Sequence, residues 1–157
     1  MKGKTNAMRI LDSHKIDYEV LTYDNKDNKI DALSVSGKIG KPIEMVYKTL
    51  VTMGHSKELY VFVIGASDEL DLKKAAKSVS EKNVEMIAVK DINKFTGYIR
   101  GGCSPIGMKK QYKTVISEKA KDLEKIIVSA GKIGMQVELN LSDLLDVTKG
   151  HLDNITK

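Results

Sequence analysis

The chain has 157 residues, 41% hydrophobic and 30% charged, which fits one globular domain spanning 1–157 with a usable core and leaves out disordered and low-complexity classes. A formal net charge of +5 permits a polyanionic partner without demanding one. Cys103 is the sole cysteine, so an internal disulfide framework is excluded, and no apolar leader or bilayer-length run is present, so a reducing, cytoplasmic setting is expected.

In chain order, Thr5 or Asn6 caps a first helix whose Ala7, Ile10 and Leu11 form its buried stripe. Residues 18–23 favour a strand through their β-branched and aromatic content, and the polar run 24–29 reads as a surface loop. Asp31 caps a short helix carrying Leu33 and Val35, which Gly40 and Pro42 close. Two strands follow at 46–52 and 59–64, joined by a hairpin turn at 54–57. The second is apolar almost throughout, which places it inside a sheet covered on both faces. Asp71 caps a helix over 72–77, 84–89 is a short apolar segment, and Asp91 starts a helical turn ending at Phe95. Residues 96–107 form a loop with four glycines and a proline. Strands are expected at 114–116, 126–129 and 135–139, the last two flanking a turn at 130–134, before a helix capped by Asn140 or Ser142 and carrying Leu144 and Leu145. The fold class is α/β, a single domain with a mixed β-sheet of about six or seven strands wrapped by helices.

Three features could carry chemistry. Lys48 stands between Val46 and Leu50 on one strand face, where an ammonium is costly unless it meets water or an anion. It is either an edge lysine that blocks aggregation or a point charge aimed into a cleft. Gly101, Gly102 and Gly107 let backbone approach a ligand closely, and successive amides there can cradle an anion; a wide turn is the plainer reading. Gly102 and Gly107 have the spacing of a P-loop, but Met108-Lys109 stands where Lys-Ser or Lys-Thr is required, which excludes nucleotide triphosphate binding by that motif. Lys73, Lys74 and Lys77 on one helix, and Lys109, Lys110 and Lys113 after the glycine loop, are either solvated faces or contacts to RNA phosphates. Cys103 has no histidine neighbour in sequence to make it a nucleophile, and it reads as a small residue tolerated in a tight loop. His14, His55 and His151 stand alone, without ligand spacing, so no metal or other cofactor is expected.

In this order and spacing, residues 46–50, 72–77 and 101–107, with Val128-Ser129-x-Gly131-Lys132 after them, resemble the YbaK/EbsC family. These are free-standing editing domains related to the insertion domain of bacterial prolyl-tRNA synthetases. The resemblance runs from about Lys4 to Leu145 and implies a deacylase for Cys-tRNA(Pro) or Cys-tRNA(Cys) that holds the 3′ end of tRNA in a cleft. It implies that Lys48 is the functional lysine, that the backbone around Gly101 and Gly102 binds the aminoacyl ester, and that Tyr23, Thr49 and Ser129 line the pocket. It further implies that the substrate's thiol attacks its own carbonyl and leaves as a cyclic thioester, and that prolyl-tRNA synthetase is a plausible partner. The logic is physical: a synthetase pocket discriminates small apolar differences by only ~1–3 kcal/mol, so a second site must remove cysteine. A deacylase for alanine, or a tRNA-binding module without activity, are the alternatives.

Overall fold

The computed structural model describes residues 3–157. Helix α1 (Asn6–Ser13) begins where Thr5, in an extended conformation, accepts the Met8 N–H and so satisfies one of the amides that a helix start leaves open. After β1 (Tyr18–Thr22), Asp31 does the same for α2 (Ala32–Ile39) by accepting from Ser34. A 3₁₀ turn (Ile43–Met45) leads into the hairpin of β2 (Tyr47–Gly54) and β3 (Leu59–Gly65). Asp71 caps α3 (Leu72–Ser78) through the Lys73 and Lys74 N–H groups. The short β4 (Val84–Met86) and α4 (Ile92–Thr96) precede the glycine loop. Then come β5 (Lys113–Ser117), β6 (Lys125–Lys132), β7 (Met135–Asn140), α5 (Leu141–Thr148) and β8 (His151–Asp153).

The α/β class expected from the sequence holds, but the strands form two sheets where one was expected. One is antiparallel, in the order β1-β7-β6; the other is mixed, in the order β4-β2-β3-β5-β8. In the second, β3 and β5 run parallel, as do β5 and β8, whereas β2 is antiparallel to both its neighbours. A parallel bridge between Val46 and Ile127 ties the two sheets together at the start of β2. β4 pairs with residues 52–54 of β2, which leaves the first half of β2 without a strand on that side.

Burial follows from this arrangement. Val61 and Val63 point into a core shared with Ile126, Val128, Val137 and Leu139 of the other sheet, together with Leu11 and Leu144. Phe62 and Ile64 point the other way, against Ala75 and Ala76 of α3. β3 is therefore covered on both faces, as its unbroken apolar sequence requires. The glycine loop packs against the β6–β7 hairpin at Gly102, where a Cβ would lie 2.9 Å from the Ile133 nitrogen.

Because the neighbour at Gly102 is backbone, Gly102→Ala forces the loop and the hairpin apart. The expected cost is about 1–3 kcal/mol. Thermal denaturation reads it as a midpoint lowered by about 2–4 °C for each kcal/mol.

Candidate active site

The first half of β2 faces a cleft of about 630 Å³ at the junction of the two sheets. Residues 46–50 form its floor, Ser129 and Gln136 enter from β6 and β7, Asn28, residues 30–33 and Val35 form one wall, and Arg100, Gly101 and Cys103 form another. The two walls meet: a Cβ on Gly101, whose φ is +83°, would lie 2.5 Å from Ile30 Cδ1. Glycine is favoured there by the left-handed backbone, and the small space beside Ile30 leaves little room for a side chain.

The wall around α2 is held by charge. Lys38 Nζ donates to the carbonyls of Asp24 and Lys29 and to Asp27 Oδ1, at 2.7, 3.0 and 2.6 Å, and so fixes the polar loop. Lys41 Nζ lies 3.0 Å from Oε1 of the buried Glu138 on β7. The opposite wall is tied by hydrogen bonds within the glycine loop. Tyr98 donates its hydroxyl to the Ile106 carbonyl at 2.7 Å, Ser104 Oγ accepts from the Ile106 N–H, and Asn6 reaches from α1 to the Gly107 carbonyl.

Lys48 is half-buried on the cleft floor, and its Nζ makes one hydrogen bond, to the Ala66 carbonyl at 3.3 Å. Beside it, the buried Thr49 hydroxyl has no partner among the described residues. An unpaired buried hydroxyl costs about 1–3 kcal/mol, and this one lies where a group bound in the cleft could pair with it. Tyr47 also lines the cleft, and its phenol is pushed up to about 12 by burial and then by the charge of Asp68, so it stays protonated.

Of the residues expected at the site, the structure brings Lys48, Thr49, Gly101 and Ser129 together. Two do not line the cleft. Tyr23 lies beneath Lys38, 5.8 Å from Nζ to the ring centroid, with its hydroxyl buried and unpartnered among the described residues. Gly102 faces the hairpin, and its N–H is spent on the Ile99 carbonyl at 2.9 Å. The basic residues are scattered. Lys74 is anchored to the Thr156 carbonyl and Lys109 to that of Lys94, Lys73 and Lys77 are exposed on α3, and Lys110 lines a separate groove beside α1. None of these lysines lines the cleft. Arg100 and Gln136 do, and the sequence reading did not single them out.

The family model of the aminoacyl-tRNA editing domain matches residues 28–147, which contain every residue lining the cleft. The chain belongs to the aminoacyl-tRNA editing domain family. It is 47% identical, over 153 residues, to an Enterococcus faecalis protein named as a candidate Cys-tRNA(Pro)/Cys-tRNA(Cys) deacylase, EbsC, covering 98% of this chain and 93% of that one. Two solved structures share the fold at lower identity. A candidate trans-editing enzyme for prolyl tRNA synthetase superposes with a TM-score of 0.84 at 18% identity, covering 97% of this chain and 95% of that one. The hypothetical protein APE2540 superposes with a TM-score of 0.88 at 14% identity, covering 98% of this chain and 100% of that one.

Within this editing domain Cys103 is not built as a nucleophile. Burial pushes its thiol up from 9.0 to about 11, against a smaller lowering by its contact with Thr96. No histidine lines the cleft to act as its base. A raised thiol pKa means the neutral form persists to higher pH. Alkylation by iodoacetamide is expected to be about a hundredfold slower at pH 8 than for a free cysteine, to rise about tenfold per pH unit, and to level off only near pH 11. A rate that levels off near pH 9 contradicts this assignment.

Proposed function

We propose that the protein is an aminoacyl-tRNA deacylase that clears cysteine from mischarged tRNA(Pro), acting in the cytoplasm alongside prolyl-tRNA synthetase. The observation that carries this reading is the cluster of Lys48, Thr49, Gly101 and Ser129 in one cleft, on a chain nearly half identical to the Enterococcus faecalis protein.

The substrate is an activated ester, so the site must position and stabilise more than it must attack. In the proposed reaction the cysteine sulfur attacks its own carbonyl carbon. A C–S bond forms and the C–O bond to the ribose breaks. The ribose oxygen takes up the proton lost by the thiol, leaving a free tRNA 3′ end and a cyclic thioester. Negative charge gathers on the carbonyl oxygen as the sulfur adds. Lys48, tied by one long bond to a neutral carbonyl, can swing its ammonium to that oxygen. The Gly101 N–H has no backbone acceptor among the described residues and suits the same oxygen. Thr49 and Ser129 offer hydroxyls to the amino group or the thiol.

Lys48→Ala is expected to slow release of labelled cysteine from Cys-tRNA(Pro) by about 10²–10³, the cost of one lost oxyanion donor. Blocking the substrate's sulfur by alkylation is expected to abolish release by the wild-type protein. Equal release from free and S-blocked substrate indicates ordinary hydrolysis, and unchanged turnover in the Lys48 variant removes that residue from the reaction.

A further inference from the structure

Lysine supplies nearly all the positive charge of this chain: of 26 basic residues only Arg9 and Arg100 are arginines. Arg100 stands next to Gly101 on the cleft wall. It is exposed, and it takes part in none of the ion pairs formed among the described residues, unlike Lys38, Lys41 and Lys119, which face Asp27, Glu138 and Asp68. The one carboxylate lining the cleft, Asp31, is spent on the N–H and hydroxyl of Ser34, whose hydrogen bonds hold it below its usual range. The cleft thus carries two cations, one deep on the floor and one at the mouth, against a single carboxylate whose oxygens are already hydrogen-bonded to Ser34, and its charge balance is positive.

We infer that Arg100 binds the phosphodiester immediately 5′ of the terminal nucleotide, and so sets how the ester is presented to Lys48. This rests on the deacylase reading and extends it. An aminoacyl ester has no carboxylate, and its amino group is cationic, so the aminoacyl moiety gives an exposed guanidinium nothing to bind. The nearest formal anion on the substrate is that phosphodiester. A planar fork of donors matches two phosphate oxygens, which a lysine cannot do. The nearby Gly102 packs against the backbone of the β6–β7 hairpin, so the loop that carries the fork is held beside the cleft. Arg100 is in this sense a positioning residue.

The test compares two synthetic substrates, 3′-O-cysteinyl adenosine, which has no phosphate, and the 3′-O-cysteinyl ester of cytidylyl-adenosine, which has one. The readout is the preference of each protein for the second, as a ratio of kcat/KM. Arg100→Ala is expected to cut that preference about tenfold, the size of a lost charge-assisted hydrogen bond, with the loss in KM. The salt dependence of its reaction with the dinucleotide ester should also become shallower, because one screened charge pair is lost. Arg100→Lys is expected to recover part of the preference. A preference unchanged from wild type overturns the inference, whatever the absolute rates. Should wild type cleave neither ester, release from Cys-tRNA(Pro) still decides the deacylase reading, and the affinity for uncharged CCA trinucleotide decides the matter for Arg100. Binding about tenfold weaker in Arg100→Ala upholds the phosphate contact, and equal binding overturns it.

Discussion

The site depends first on one hydrogen bond, from the Tyr98 hydroxyl to the Ile106 carbonyl, which closes the glycine loop on itself at 2.7 Å. Ordering a loop costs about 1–2 kcal/mol per residue in backbone entropy, and this one has no ladder to repay it. Tyr98 repays part of it twice. Its hydroxyl satisfies a buried carbonyl, and its ring fills the space over Gly131, where a Cβ would lie 2.7 Å from the ring. Burial and the nearby Cys103 push the phenol up to about 12, so it remains a donor through the whole physiological range. The loop that presents Arg100 and Gly101 is thereby fastened to the hairpin that presents Ser129 and Gln136.

The second constraint is the junction of the sheets. Val46 bridges to Ile127 and then β2 departs along the five-stranded sheet, so the start of β2 has strand neighbours on β3 and empty space on its other edge. A sheet edge is ordinarily a liability, and a lysine is an ordinary way to blunt it. Here the edge is roofed by α2 and the glycine loop, which turns the same lysine from an aggregation guard into a charge inside a cleft. The lysines around the site differ in how far they are committed. Lys38 is held by three acceptors and is structural, whereas Lys48 holds one carbonyl and is free to exchange it for a ligand.

Much of this was legible in the sequence where the cause is local. Thr5, Asp31 and Asp71 cap the helices expected of them, because an N-cap depends on residues two or three places away. The hairpin turns and the two-faced burial of β3 were legible for the same reason. The splitting into two sheets was not, because it is fixed by the Val46–Ile127 bridge across 81 positions of chain. Nor was β8, three residues whose only strand signal is their parallel partner β5. The position of Tyr23 was not legible either, because it lies one residue past β1 and its ring is set by its contact with Lys38 of α2. Arg100 carried a signal that went unread, an arginine beside a double glycine in a chain that otherwise uses lysine.

The absence of a nucleophile among the lining residues has a consequence for what the fold must do. Cys103 is held neutral, and neither serine nor threonine in the cleft has a histidine beside it. Beyond the oxyanion stabilisation from Lys48, acceleration in the proposed reaction must come from geometry, by keeping the substrate's own sulfur over its carbonyl while charge develops. Well-oriented intramolecular reactions reach effective molarities of about 10⁵–10⁸ M, but only if the reacting atoms are held near 3 Å. Such a site needs one mobile cation, Lys48, to meet the developing charge, and rigid walls for the rest. The ion-tied loop below α2, the self-closed glycine loop and the glycine contacts that join it to Ile30 and to the β6–β7 hairpin are the walls that such a mechanism requires.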